Sequence, residues 1–348
     1  MSFQKVGASK VPFIEGTQAS VRSQQLLTST GIGALDALLG GGLPAGAMVA
    51  IEEDAGNAYA PYFLRYFLAE GCVHKQSLFV VGSRSEAKDI LSNLPAASEG
   101  SAPEEPAVAA DVDQMKIAWR YETVGKVQST IGRNTQAQNF DLATKMGSEV
   151  IDRCQVTTYP DGQGSSLSYE QLFEKLLASL KTDCHSKVSG GKKNLLRIAI
   201  ESIGSPLWVD DDGMSKLVKF LLLLKTFLRH SYAVALLTVP SLAMDEKAAH
   251  KVHRYCDAVF RLESFSDTDR QAVGAFADAH GLFHIVKLPA LHVVSSALPE
   301  SVDLCFKLKR RRLAIEILHL PPAIGEETDD LTKQFSCSTN ISKSKIDF

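Results

Sequence analysis

No stretch of the 348-residue chain approaches the roughly 18 consecutive apolar residues of a membrane-spanning helix, and its opening, MSFQKVGASKVPF, lacks the apolar core of a secretion signal. No charge surplus of either sign is present: 37 Lys and Arg against 40 Asp and Glu leave a net charge of -3. A globally basic surface for nucleic acid is therefore excluded, so any RNA contact must come from a local patch or a partner chain. The six cysteines contain no CxxC pair and sit mostly in or beside apolar segments, which predicts reduced thiols rather than a disulfide framework. There is no internal repeat and no heptad run, and no Ser/His/Asp grouping has a context that would support a nucleophile. These absences predict a soluble protein of the cytoplasm and nucleus.

What is there is an ordinary globular balance, 45% hydrophobic and 22% charged, in a chain long enough for a sizeable core. Residues 1–27 are polar and predict an extended or disordered arm. From Thr28 the chain alternates in α/β fashion: a helix over 33–39, a strand over 47–52, a helix over 60–70 and a strand over 77–82. Gly40, Gly41 and Gly42 close the first helix with backbone angles that other residues resist. The Ala-, Pro- and acid-rich segment 92–114 predicts a solvated, disordered loop, and the polar residues 123–168 an insertion with little regular structure. A helix over 169–181, strands over 195–200 and 232–239, an apolar helix over 212–230 and a helix over 247–256 follow. Strands over 258–262 and 282–288 and a hairpin across 304–320 complete the pattern, and the tail 323–348 is polar and predicted disordered. The expectation is one domain over 28–322 with a central, mostly parallel sheet, flanking helices and a C-terminal antiparallel hairpin.

Thr30 to Gly46 (TGIGALDALLGGGLPAG) leads into the apolar run Ala47–Ile51, where a RecA-type ATPase would place a phosphate-binding loop. Such a loop needs small residues, inward-facing N–H groups, and a Lys and Ser/Thr for phosphate and Mg²⁺. Here the chain reads Glu52-Glu53-Asp54-Ala55-Gly56-Asn57-Ala58-Tyr59. Each carboxylate would repel a phosphate at ~4 Å by roughly 4 kcal/mol at an effective dielectric near 20. The phosphate loop reads as degenerate.

The opening motif resembles the entry to the RecA/KaiC core. Further blocks are Ser20-Val21-Arg22, Ile51 to Asp54, Arg65 to Gly71, Met115 to Tyr121, Gly204 to Trp208, Phe306 to Arg310 and Leu318 to Pro322. Together they resemble the family of the fourth subunit of the Elongator complex across about residues 20–322. The resemblance implies a RecA-like fold without a usable phosphate loop. It implies assembly with sister Elongator subunits 5 and 6 into a hetero-hexameric ring, two copies of each. It also implies docking on the catalytic Elongator subcomplex, contact with tRNA, and a role in tRNA wobble-uridine (5-carboxymethyl-type) modification. Nucleotide hydrolysis by the assembled ring belongs to the family, but no motif in this chain carries its residues over.

Glu201 ends the strand 195–200 beside Glu52, Glu53 and Asp54, an acidic cluster at the carboxyl edge of the sheet. Oxygen ligands there would suit a hard cation; the favoured reading is a degenerate site whose acids meet basic residues of a neighbouring subunit. Lys307, Lys309, Arg310, Arg311 and Arg312 form the densest positive charge, with the arginines at a hairpin tip that could grip RNA phosphates or simply stand in solvent or dock on acidic subunits. His250, His253 and Cys256 share a helix face but lack a fourth ligand for zinc. Trp208 follows a rigid turn and serves either an interface or the core. No catalytic residue, cofactor or metal is assigned. The expected role is a non-catalytic ring subunit; the alternatives are a ring ATPase with a non-standard site and a DNA-acting KaiC- or recombinase-like protein.

Overall fold

The computed structural model describes residues 12–20, 23–98, 137–160, 167–208, 213–266, 279–291, 293, 296, 298–299 and 301–318. Three short strands open the chain: β1 (Thr17–Ala19), β2 (Leu26–Thr28) and β3 (Leu43–Pro44), antiparallel in that order, with helix α1 (Gly33–Leu38) between the last two. The glycine triplet after α1 has φ of +82°, +113° and +135°, and a Cβ on Gly42 would lie 2.9 Å from the Thr28 carbonyl oxygen. Only glycine permits that left-handed stretch beside a neighbouring strand.

The main sheet has nine strands. In chain order its parallel part is β4 (Met48–Glu52), β5 (Ser77–Val81), β8 (Val156–Tyr159), β9 (Leu196–Ile200), β10 (Ala233–Val239) and β11 (Ala258–Ser264). Strands β12 (Gly281–Lys287), β13 (Leu304–Leu308) and β14 (Leu313–Ile317) extend it antiparallel, giving the order β14-β13-β12-β11-β4-β10-β9-β5-β8. The α/β expectation with a large, mostly parallel sheet and a C-terminal hairpin is borne out.

Alternation along each strand builds two cores. Val49, Ile51, Leu78, Val80, Val234 and Leu236 face α2 (Ala60–Val73). Met48, Ala50, Phe79, Val81, Ile198 and Leu237 face the other side, covered by α5 (Tyr169–Leu180), α6 (Gly213–Arg229) and α7 (Glu246–Tyr255). Because α2 carries the chain from β4 toward β5 on one face, while α7 carries it from β10 past β4 to β11 on the other, the connections switch faces at the carboxyl end of β4, the usual place for a site in an open α/β sheet.

The region expected as an unstructured insertion differs in part. Phe140–Lys145 forms β7, paired antiparallel with β6 (Pro95–Ala97), which itself lies in the segment expected as a solvated loop. A short helix, α4 (Ser148–Asp152), follows, and β8 closes the parallel sheet beside β5, with Leu78 opposite Val156. Backbone pairing at a half-exposed edge needs no apolar run, so Val-Thr-Thr-Tyr left no hydrophobic signal. A helix over Ala87–Ser92, α3, was likewise unread. Met115 to Tyr121, most of 92–114 and the tail 323–348 lie outside the described residues.

Candidate functional site

The four acids expected at the carboxyl edge of the sheet all lie there, and all are buried, at 1–4% exposure. Each is satisfied within the chain. Glu52 accepts from His253 of α7 and from Arg261, which stands opposite it in register on β11. Glu53 takes the Ser202 hydroxyl at 2.5 Å; burial raises its carboxyl pKa, against the pull of hydrogen bonds from Ser202 and Thr238. Asp54 accepts the N–H groups of Ala58 and Tyr59 at 2.9 and 3.0 Å, with that of Ala60 at 3.4 Å. Glu201 gathers the N–H groups of Ser83, Arg84 and Ser85 at 3.1, 3.0 and 2.9 Å, and the Ser85 hydroxyl at 3.1 Å.

Two of these arrangements are anion cradles filled from inside. A short loop leads from β4 to the N-terminus of α2, where free N–H groups and the helix dipole would favour a phosphate, and the Asp54 carboxylate takes the donors of Ala58 and Tyr59 just before the helix and of Ala60 at its first residue. Three successive N–H groups after β5 form a second such nest, held by Glu201. Within the chain these acids are met by their own fold: Asp54 and Glu201 by backbone N–H groups, Glu53 by the Ser202 hydroxyl, and Glu52 by side chains of α7 and β11. No group of three or more candidate metal ligands occurs among the described residues. Asp54→Ala is expected to lower stability by roughly 1–2 kcal/mol, the usual worth of a helix N-cap. Sulfate should recover part of that loss by occupying the vacated donors, while leaving the wild type unchanged; equal melting temperatures for the two proteins without sulfate would refute the capping role.

Trp208 also turns inward. Its ring stacks on Tyr169 at 4.6 Å and 10°, its Nε1–H donates to the Ser202 carbonyl at 3.1 Å, and 5% of it is exposed. Of the two readings of Trp208, the packing within the chain fits the core anchor; the turn's exposed apolar residue is Leu207. Cys256 lies fully buried beyond the end of α7, while His250 pairs with Glu246 at the surface and His253 with Glu52. The three potential zinc ligands therefore have separate partners.

The basic hairpin is exposed at its tip. Lys307 and Lys309 both reach Glu316 across the strand pair, at 3.1 and 3.0 Å. Burial alone would raise the Glu316 pKa, but the two lysines hold it below the usual carboxylate range. Their charge is thus largely met at home. Arg311 stands 3.9 Å from Asp141, and its carbonyl accepts from Leu142 N–H at 2.8 Å, tying the tip to β7. Arg310 and Arg312 are exposed.

Beneath the tip is a cleft of about 320 Å³ lined by Tyr62, Arg65, Asn93, Leu142, Leu308, Lys309 and Arg310. Arg65 lies over the Tyr62 ring at 5.3 Å from its centroid. Arg65 and Tyr62 are on α2, more than two hundred residues before the hairpin, and no local spacing could have joined them to it. The only signal was weak: an Arg three residues after a Tyr, on the outward side of an otherwise buried helix.

Two comparisons extend over nearly the whole chain. A family model described as PAXNEB protein matches residues 10–348. Elongator complex protein 4 of Danio rerio is 34% identical over 363 aligned residues, covering 95% of this chain and 91% of that protein. The Homo sapiens protein of the same name is 34% identical over 356, covering 92% and 82%, and that of Schizosaccharomyces pombe 28% over 353, covering 94% and 95%. The resemblance carried by the sequence blocks is borne out at this coverage, and the chain belongs to the PAXNEB protein family.

Proposed function

We propose that this chain is a non-catalytic subunit of an Elongator-type assembly serving tRNA wobble-uridine modification in the cytoplasm and nucleus. One observation carries the proposal: the relatives named Elongator complex protein 4 align with this chain along nearly its full length, at up to 34% identity. The fold is RecA-like in this reading, and its phosphate loop is degenerate. The Asp54 carboxylate on the donors of α2, and the absence of a Lys or Ser/Thr at the positions of Ala55 to Tyr59 that would bind phosphate and Mg²⁺, support that view. The partners are sister subunits 5 and 6 in a hetero-hexameric ring, the catalytic Elongator subcomplex, and tRNA met through the arginine tip of the hairpin. A structural role fits a site whose buried acids hold the chain's own loops.

Co-expression of the full chain with the two sister subunits, followed by native mass spectrometry with and without ATP, tests the assignment. The expected species is a closed six-subunit ring with no nucleotide adduct attributable to this chain. A persistent monomer, or a homo-oligomer carrying ATP, would overturn it.

A further inference from the structure

The cleft beneath the hairpin combines features that the arginine tip alone lacks. Of its three cationic side chains, Lys309 is already paired with Glu316, whereas Arg65 and Arg310 have no carboxylate partner among the described residues. No acid lines it. Leu142 and Leu308 give it an apolar wall, and the Asn93 amide and Tyr62 add polar and aromatic groups. The Arg65 guanidinium, 5.3 Å from the centroid of the Tyr62 ring, places a planar cation beside an aromatic ring, and both are surfaces on which unpaired bases stack. At about 320 Å³ the space sits at the lower end of small-ligand sites, roughly 300–1,000 Å³, which suits one nucleotide and not a paired helix.

We propose that this cleft holds one unpaired nucleotide, its base against the Tyr62–Arg65 pair and the leucine wall, and its phosphate beside Arg310. The inference deepens the RNA contact assigned above to the hairpin and rests on that reading. The arginine tip would grip backbone phosphates without regard to strandedness, while the cleft adds a preference for a single-stranded segment. The shared ligand chemistry is a nucleoside phosphate, whether free or within a strand.

The test uses the full chain and three probes: a labelled single-stranded RNA of about 12 nucleotides, within the range of single-strand site sizes, the same sequence as a duplex, and free uridine monophosphate. The wild type is expected to favour the single strand. Arg65→Gln and Tyr62→Leu should each weaken strand binding by about tenfold, in the range of one lost base stack, with little effect on the duplex. Lys219→Gln, an exposed lysine on α6, should change nothing. Because Tyr62 and Arg65 lie within the long helix α2, Asn93→Glu and Asn93→Lys, just after the short helix α3, provide a second measurement, expected to weaken and strengthen strand binding respectively. Competition by uridine monophosphate at millimolar concentration would identify a free nucleotide as able to enter, and strand binding without such competition would identify the strand as the source.

Strand affinity unchanged in Arg65→Gln, Tyr62→Leu and Asn93→Glu overturns the cleft proposal. If the Arg310, Arg311 and Arg312 triple alanine variant still weakens both RNAs in that case, the hairpin reading survives alone. Absence of RNA binding by the wild type ends both. Capture of a glutamate-rich peptide in preference to the strand also overturns the cleft's assignment.

Discussion

Arg197→Ala is expected to lower the unfolding free energy by about 3–5 kcal/mol, a large share of the roughly 5–15 kcal/mol that holds a typical domain folded. The side chain is fully buried at the second residue of β9, on the face toward α2. Its fork donates to the Gln76 side-chain oxygen at 2.6 Å, the Ser29 carbonyl at 2.8 Å, the Phe67 carbonyl at 3.0 Å and the Thr28 hydroxyl at 2.7 Å, and lies 4.8 Å above the Phe67 ring. Burial pushes its pKa down to about 10, while Glu70 and Asp36 support the charge across a short distance. It stays ionised at neutral pH. Alanine would leave a cavity, four acceptors without their donor, and two buried acids without their cation. Methionine fills the space and should cost less; lysine keeps the charge but cannot reproduce the fork. Urea unfolding of the three variants checks this order, and a loss under 1 kcal/mol for alanine would mean the network is not what fastens the Thr28–Ser29 segment to α2.

Arg197 also marks the limit of what the sequence discloses. Leu-Arg-Ile-Ala-Ile reads as a buried strand, and so it is; a cation inside it was the visible anomaly, but its partners come from three other segments. Helices α2, α5 and α6 were legible from apolar residues at helical spacing, and strands β4, β5, β9 and β10 because burial on both faces makes each a nearly continuous short apolar run. Strand β8 and the β6–β7 pair were not, since they are fixed by backbone pairing at partly exposed edges, where side chains carry little pattern. At the candidate site the acids were legible as a cluster, but the partners that hold them within the chain were not. The N–H groups that satisfy Asp54 and Glu201 belong to loops, and backbone donors have no letter in the sequence. The cleft was illegible for a simpler reason: it is made where α2, β7 and the hairpin meet.

The second large effect concerns pH and the motif that opens the chain. Asp36, in α1, is 1% exposed and accepts from the Ser29 hydroxyl at 2.6 Å, and from the Thr30 N–H and hydroxyl at 2.7 and 2.6 Å. Burial dominates and raises its pKa from 3.8 to about 6, although those three hydrogen bonds pull it down and Glu70 adds a further push upward. Because the folded pKa lies above the unfolded one, the folded state keeps a proton that the unfolded state has released between these values. The associated stability is complete below about pH 4 and is lost as pH rises through 6, by roughly 3 kcal/mol at 1.36 kcal/mol per unit. Asp36→Asn keeps the shape and cannot ionise, and its amide can donate to Ser29 while its carbonyl accepts from Thr30. Measured against the wild type by urea unfolding at pH 4.5, 6 and 8, the asparagine variant should gain relative stability as pH rises, since contributions common to both proteins cancel. The gain is limited by the support that ionised Asp36 lends to Arg197, so Asp36→Asn combined with Arg197→Met should show it more fully than the single change. A difference that stays flat from pH 4.5 to 8 would place the Asp36 carboxyl in its ordinary range, and its three donors, rather than its burial, would then decide its charge.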